Sequence, residues 1–147
     1  MSHTNAQNVI HVVFSTKERR KAIPEDMQSR LWAYVAGVCQ NLGIGVHAIG
    51  GLEDHLHILI QLPPSLPLAK AVSTIKSNSS RWANERRQKF TWQEGYEAFS
   101  VSHSALPAVV RYIRNQKAHH TKMRFEAEFL ALLKKHGIEF DQKYVLG

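Results

Sequence analysis

Asp54-His55-Leu56-His57-Ile58-Leu59-Ile60 is an apolar run with two histidines flanking one leucine, closed downstream by Pro63-Pro64. It is expected as a β-strand that ends at those prolines, because proline cannot continue one. Side chains alternate across a strand with period two. His55 and His57 therefore share one face, while Leu56, Ile58, Ile60 and Leu62 share the other and can bury there. Two imidazoles side by side on a rigid strand make half of a divalent-metal site. The same spacing also suits two structural histidines held by backbone carbonyls or water.

Upstream, Gly45 to Gly51 (GVHAIGG) is a second strand candidate, and Gly50 to Asp54 (GGLED) fits a hairpin loop between the two. Before it, Leu31, Tyr34, Val35, Val38 and Leu42 recur at helical spacing. That helix would start at Pro24 with Glu25 and Asp26 in its first turn, and Gly43 would cap it. Asn8 to Ser15 (NVIHVVFS) forms the first strand, and Lys17 to Lys21 (KERRK) is a basic connection. Downstream, a second helix runs from about Pro67 into the 80s on a stripe of Leu68, Ala71, Val72 and Ile75. A fourth strand falls within Glu97 to Ser102 (EAFSVS). The order β-α-β-β-α-β is the ferredoxin-like arrangement, an α+β fold with an antiparallel sheet and helices on one face. Two C-terminal helices follow, roughly Leu106 to His120 and Phe125 to His136, then a tail from Ile138 to Gly147.

The length of 147 residues fits one domain covering 1–147, and 44% hydrophobic residues supply a core. No run is long enough to span a bilayer, and a signal peptide is not expected. Cys39 is the only cysteine, which fits a reducing cytoplasm. Lys and Arg number 19 against 12 acids, a formal charge of +7. That balance favours a polyanionic partner, with nucleic acid ahead of an anionic membrane surface.

Two further stretches carry chemistry. In Tyr112-Ile113-Arg114-Asn115-Gln116, Tyr112 and Gln116 are four apart and share a helix face, with His119 and His120 one turn on. A tyrosine beside a metal can attack a phosphodiester and become a covalent phosphotyrosine. Gln116 could complete the metal shell through its amide oxygen. Alternatively, Tyr112 packs at a helix face with its hydroxyl at the surface. The stretch from Lys76 to Trp92 is basic, aromatic and hydroxyl-rich. Its cations can neutralise phosphates, and Trp82, Phe90 or Trp92 could stack on unpaired bases. A solvated helix face followed by anchoring aromatics fits it as well.

Together these residues resemble the HUH single-tyrosine transposases of bacterial insertion sequences that move as single-stranded DNA. The resemblance is carried by His55-Leu56-His57 and Tyr112-Ile113-Arg114-Asn115-Gln116. It extends through Ser79-Ser80-Arg81, the run Trp92 to Ser102, and the Val9 to Thr16 strand with its basic loop. It covers nearly the whole chain. It implies that Tyr112 is the nucleophile, forming a 5′-phosphotyrosine and freeing a 3′ hydroxyl. It implies that His55, His57 and Gln116 hold one Mg²⁺ or Mn²⁺, and that no ATP or other nucleotide cofactor is needed. It implies a homodimer that recognises single-stranded DNA hairpins near element ends, and active sites that can take the tyrosine helix from the partner subunit. Hairpin binding would draw on Lys76, Ser79, Ser80, Arg81, Arg86 and Arg87, and on Lys17, Arg19, Arg20 and Lys21. Candidate bases for Tyr112 are His120 and Lys117. Three other readings compete. One is a domesticated relative acting on chromosomal repeats. The second is a non-catalytic nucleic-acid-binding ferredoxin-like module. The third is a small metal-dependent hydrolase with a water nucleophile.

Overall fold

The structure is a computed structural model and describes residues 4–116 together with 131, 134 and 135. Seven main elements follow in order: β1 (Val9–Ser15), α1 (Glu25–Asn41), β2 (Gly45–Gly51), β3 (His55–Gln61), α2 (Leu68–Glu85), β4 (Glu97–Ser100) and α3 (Leu106–Arg114). The expected β-α-β-β-α-β order is present, and β2 has the expected bounds.

The strands form one antiparallel sheet in the order β2-β3-β1-β4. Each helical connection therefore skips a strand: α1 carries the chain past β3, and α2 carries it past β1. A bulge between Val46 and Ala48 shifts the β2 register, so that Gly50 lies opposite His57.

The two faces of this sheet are built differently. On one, Val12 and Phe14 of β1 and Leu56, Ile58 and Ile60 of β3 pack with Met27, Leu31, Val35 and Val38 of α1 and Ala71, Val72 and Ile75 of α2. This is the apolar core that period two in β3 and the helical stripes require. α1 starts after Pro24 with Glu25 and Asp26 in its first turn, where acids favour the helix dipole. It ends at Asn41, and the chain turns away through Gly43, whose φ of 72° favours a residue without a Cβ.

The other face carries α3, held by a smaller cluster of Val9, Ala48, Leu59 and Ile113. The approach is close. A Cβ on Gly50 would lie 2.1 Å from the carbonyl oxygen of Ile113, so only glycine lets α3 reach the sheet there.

The expected helix from Leu106 is continuous to Arg114, and Asn115 leaves helical geometry at φ −100°, ψ 27°. Asparagine is a weak helix former, and Gln116, past this break, is again helical. Lys117, His119, His120, nearly all of the second C-terminal helix and the tail lie outside the described residues.

Candidate active site

The register of β1 on β3 sets the centre of the polar face. Ser15 pairs with His55, Val13 with His57 and His11 with Leu59. His11 thus joins His55 and His57 on the face opposite the apolar core. All three are buried, with both His55 and His57 at 0% exposure. A buried imidazole is tolerated only where its nitrogens find partners.

His55 Nδ1 lies 2.8 Å from Asp54 Oδ1. A carboxylate accepts, so Nδ1 carries a proton. That Nε2 lies 2.9 Å from Gln116 Oε1. The Gln116 amide nitrogen donates to the Tyr112 carbonyl at 3.2 Å, which turns its oxygen toward His55. At 2.9 Å a proton on Nε2 donates to the amide oxygen, and a divalent metal in its place would take one donor atom from each side chain. In an octahedral Mg²⁺ shell with bonds of about 2.1 Å, adjacent ligand atoms lie about 3.0 Å apart. The spacing of this pair fits that geometry; the amide oxygen suits Mg²⁺ or Mn²⁺, whereas imidazole favours the later first-row metals.

His57 is gripped at the same ring position. Its Nδ1 lies 2.9 Å from His11 Nε2, and its ring meets that of His55 edge-on at 5.1 Å. Tyr112 closes the cluster. Its ring stands perpendicular to that of His57 at 5.5 Å and near-perpendicular to that of His11 at 6.1 Å. The residues expected for metal and nucleophile (His55, His57, Gln116 and Tyr112) are thus brought together from β3, α3 and the turn after it. Among the described residues, no group of three or more His, Cys, Asp or Glu is set to hold a metal. The amide oxygen of Gln116 is a further donor atom beside His55.

Sequence reasoning missed His11, Asp54 and Glu97 at this face. Glu97 pairs with Val13, in the same cross-strand row as His57. Burial raises its carboxyl above the ordinary value of 4.5.

The residues expected to bind DNA part company. Ser79 is fully buried. Its hydroxyl accepts the Trp92 indole N–H at 2.9 Å, the partner a buried indole requires. Trp92 and Phe90 pack edge-on against each other, and Trp92 also against Phe14. Ser79, Phe90 and Trp92 therefore serve the core and offer no platform to DNA. Lys76 donates to the carbonyls of Gln93 and Gly95, both at 2.7 Å, tying that loop to α2. Burial lowers its pKa, partly offset by Glu94.

Arg81 is exposed and donates to Asn78, and Ser80 donates to the Ser77 carbonyl. Arg86 lies over the Trp82 ring at 4.1 Å, with Tyr34 stacked 5.4 Å from that ring. Trp82 thus has neighbours from two helices. Arg87 and Arg20 are exposed, and Arg20 pairs with Glu18 at 2.9 Å. Glu18, Arg19 and Arg87 all have positive φ, 58°, 52° and 65°, a conformation costly for such residues. Lys17 and Arg20 line a cleft of about 430 Å³ with Asn84, Lys89 and Phe90. A second groove, of about 630 Å³, opens beside Gln116 and is lined by Gln28, Trp32, Gly50, Arg114 and Asn115. No helix among the described residues is long and apolar enough to cross a membrane.

Known proteins resemble this chain in sequence and in fold. A family model described as "Transposase IS200 like" matches residues 4–116. The transposase for insertion sequence element IS200 of Salmonella typhimurium is 23% identical over 124 residues, covering 79% of this chain and 81% of that protein. The Salmonella typhi counterpart matches equally. Two solved structures share the fold. One, from Deinococcus radiodurans R1 and assigned as a transposase, has a TM-score of 0.63 at 19% identity, covering 79% of this chain and 95% of that one. The other, a REP-associated tyrosine transposase bound to a REP hairpin, has a TM-score of 0.63 at 15% identity, covering 84% and 77%.

Proposed function

The chain belongs to the IS200-like transposase family, and we propose that it nicks and rejoins single-stranded DNA at hairpin-marked ends through a phosphotyrosine on Tyr112. The observation that carries this reading is the convergence on one buried face of an Asp54-oriented His55, His57, the Gln116 amide oxygen and the Tyr112 ring.

In the forward step the Tyr112 oxygen attacks the phosphorus and loses its proton. The bond to the 3′ oxygen breaks, leaving the 5′ phosphate on tyrosine and a free 3′ hydroxyl. A 3′ hydroxyl then attacks the phosphotyrosine, restoring Tyr112 and rejoining DNA. The number of phosphoester bonds is conserved, so no ATP enters. His55, His57 and Gln116 would hold one Mg²⁺ or Mn²⁺, which when bound would polarise the phosphate oxygens and orient the scissile bond. The tyrosine hydroxyl, with an ordinary pKa of about 10, is a poor nucleophile until it is deprotonated.

Substrate binding would fall to the two grooves described above. The Lys17, Arg20 and Lys89 cleft and exposed Arg81, Arg86 and Arg87 supply phosphate contacts whose affinity falls with salt. Trp32 and Arg114 in the groove beside Gln116 suit an unpaired strand. The enzyme would act in the cytoplasm as a homodimer.

The decisive experiment incubates the protein with Mn²⁺ and labelled hairpin oligonucleotides from the gene's own flanks, followed by a denaturing gel. A metal-dependent covalent adduct that Tyr112→Phe abolishes is expected. Cleavage without an adduct would replace this reading with a water nucleophile. Binding without cleavage on those hairpins would leave a non-catalytic module. A second substrate reading is favoured by the likeness to the REP-associated enzyme: repeats elsewhere in the chromosome as targets. Adduct formation on such repeats, with none on the gene's own flanks, would select it.

A further inference from the structure

The two imidazoles of the candidate metal site are both gripped at Nδ1, but by different partners. Asp54 can only accept, so the tautomer of His55 is fixed by charge. The partner of His57 is another imidazole, which can donate or accept. A neutral imidazole carries one N–H. If His11 donates, the proton of His57 sits on Nε2 and that nitrogen cannot bind a metal. If His11 accepts, His57 carries its proton on Nδ1 and Nε2 presents a lone pair.

We propose that His11 is a positioning residue whose Nε2 accepts the Nδ1–H of His57, fixing the ring and the tautomer that a metal requires. The proposal rests on the metal-binding reading of His57. It assigns a role to a buried histidine in a mostly apolar strand, where an imidazole costs more to bury than the valines around it.

The geometry supports it in three ways. His11 lies opposite Leu59, so it is a diagonal neighbour of His57, within the reach of a cross-strand ring. Its 2.9 Å contact with Nδ1 is a normal hydrogen bond between two buried rings tilted by 32°. Phe99 of β4, its partner on the other side, lies 5.9 Å away, and Tyr112 covers it edge-on at 6.1 Å. Held on both sides, the His11 ring has little freedom to swing out of the hydrogen bond. Metal-bound histidines commonly rely on such a partner at the second nitrogen, and losing it typically costs 10- to 100-fold in metal affinity.

The test reads the tautomer directly. Long-range proton–nitrogen spectra of metal-free, ¹⁵N-histidine-labelled protein should show His57 protonated at Nδ1 and bare at Nε2. Its signals are those lost in His57→Gln. In His11→Leu the His57 proton should shift toward Nε2. In His11→Gln, whose amide oxygen replaces the accepting nitrogen, it should stay on Nδ1. Mn²⁺ affinity, followed by electron paramagnetic resonance, should fall about 10- to 100-fold in His11→Leu and recover in His11→Gln.

Nε2 protonation of His57 in the wild-type protein would overturn the proposal, and that spectrum needs no variant to fold. An unchanged His57 tautomer in a folded His11→Leu would overturn it too. If the wild-type protein binds no Mn²⁺ while the tautomer pattern holds, the metal reading fails and the His11–His57 assignment stands on its own.

Discussion

The two faces of the β2-β3-β1-β4 sheet obey opposite rules. Under α1 and α2, large apolar side chains interlock and few hydrogen bonds matter. Under α3, four apolar residues form a small anchor around a centre of three histidines and a glutamine. The first face is tolerant of detail and holds the protein together through buried area. The second contributes little area and depends on distances. The same β3 strand serves both, because odd and even positions point to opposite sides. Stability and chemistry are thereby divided between the two sides of one backbone.

The comparison breaks or sharpens under substitution, beginning with the largest effect. Leu31→Ala empties a fully buried site on the α1 face. It should cost about 2–5 kcal/mol of stability in urea unfolding, while Mn²⁺ affinity of the protein that remains folded stays near wild type. A parallel loss of affinity would show that the faces are not separate.

Gly50→Ala probes the other side. Its new methyl meets the Ile113 carbonyl, so α3 must lift with Tyr112 and Gln116. Adduct formation in single-turnover assays should fall about 100-fold or more, because a misplacement near 1 Å is enough. The urea midpoint should move far less than in Leu31→Ala. Equal damage to both quantities would mean that α3 supports the core.

The smallest effect is expected at Glu97. Its folded carboxyl is raised above 4.5 by burial, so the native state holds its proton more tightly than the unfolded chain. The sign follows: the stability this supplies is full below pH 4.5 and is lost as pH rises through the raised value. Glu97→Gln should flatten the decline in stability just above pH 4.5 and leave the α1 face untouched. A decline that persists in the variant would assign it to another group.

Which features were legible in the sequence follows from their range. The strand of His55 and His57, the i, i+4 pair Tyr112 and Gln116, and the stripes of α1 and α2 are local periodicities, and each is found where the spacing put it. Ser79 was legible too: it lies seven after Val72 and four after Ile75, on the buried stripe of α2, and its hydroxyl concealed that position. His11 and Glu97 were not. Their place depends on how β1 pairs with β3 and β4, a register no local spacing encodes. The break at Asn115 was foreshadowed only by a weak helix propensity. The closeness of Gly50 to α3 arises from tertiary contact alone.

The small anchor beneath α3 also bears on how the protein breathes. A helix nine residues long, held by four buried apolar residues and a fringe of partly buried ones, should have a lower free energy of local opening than the strands it covers. Its amide protons should exchange with solvent well before those of β1 and β3. The proposed catalytic assembly would then dissolve and re-form many times within the lifetime of an intact core.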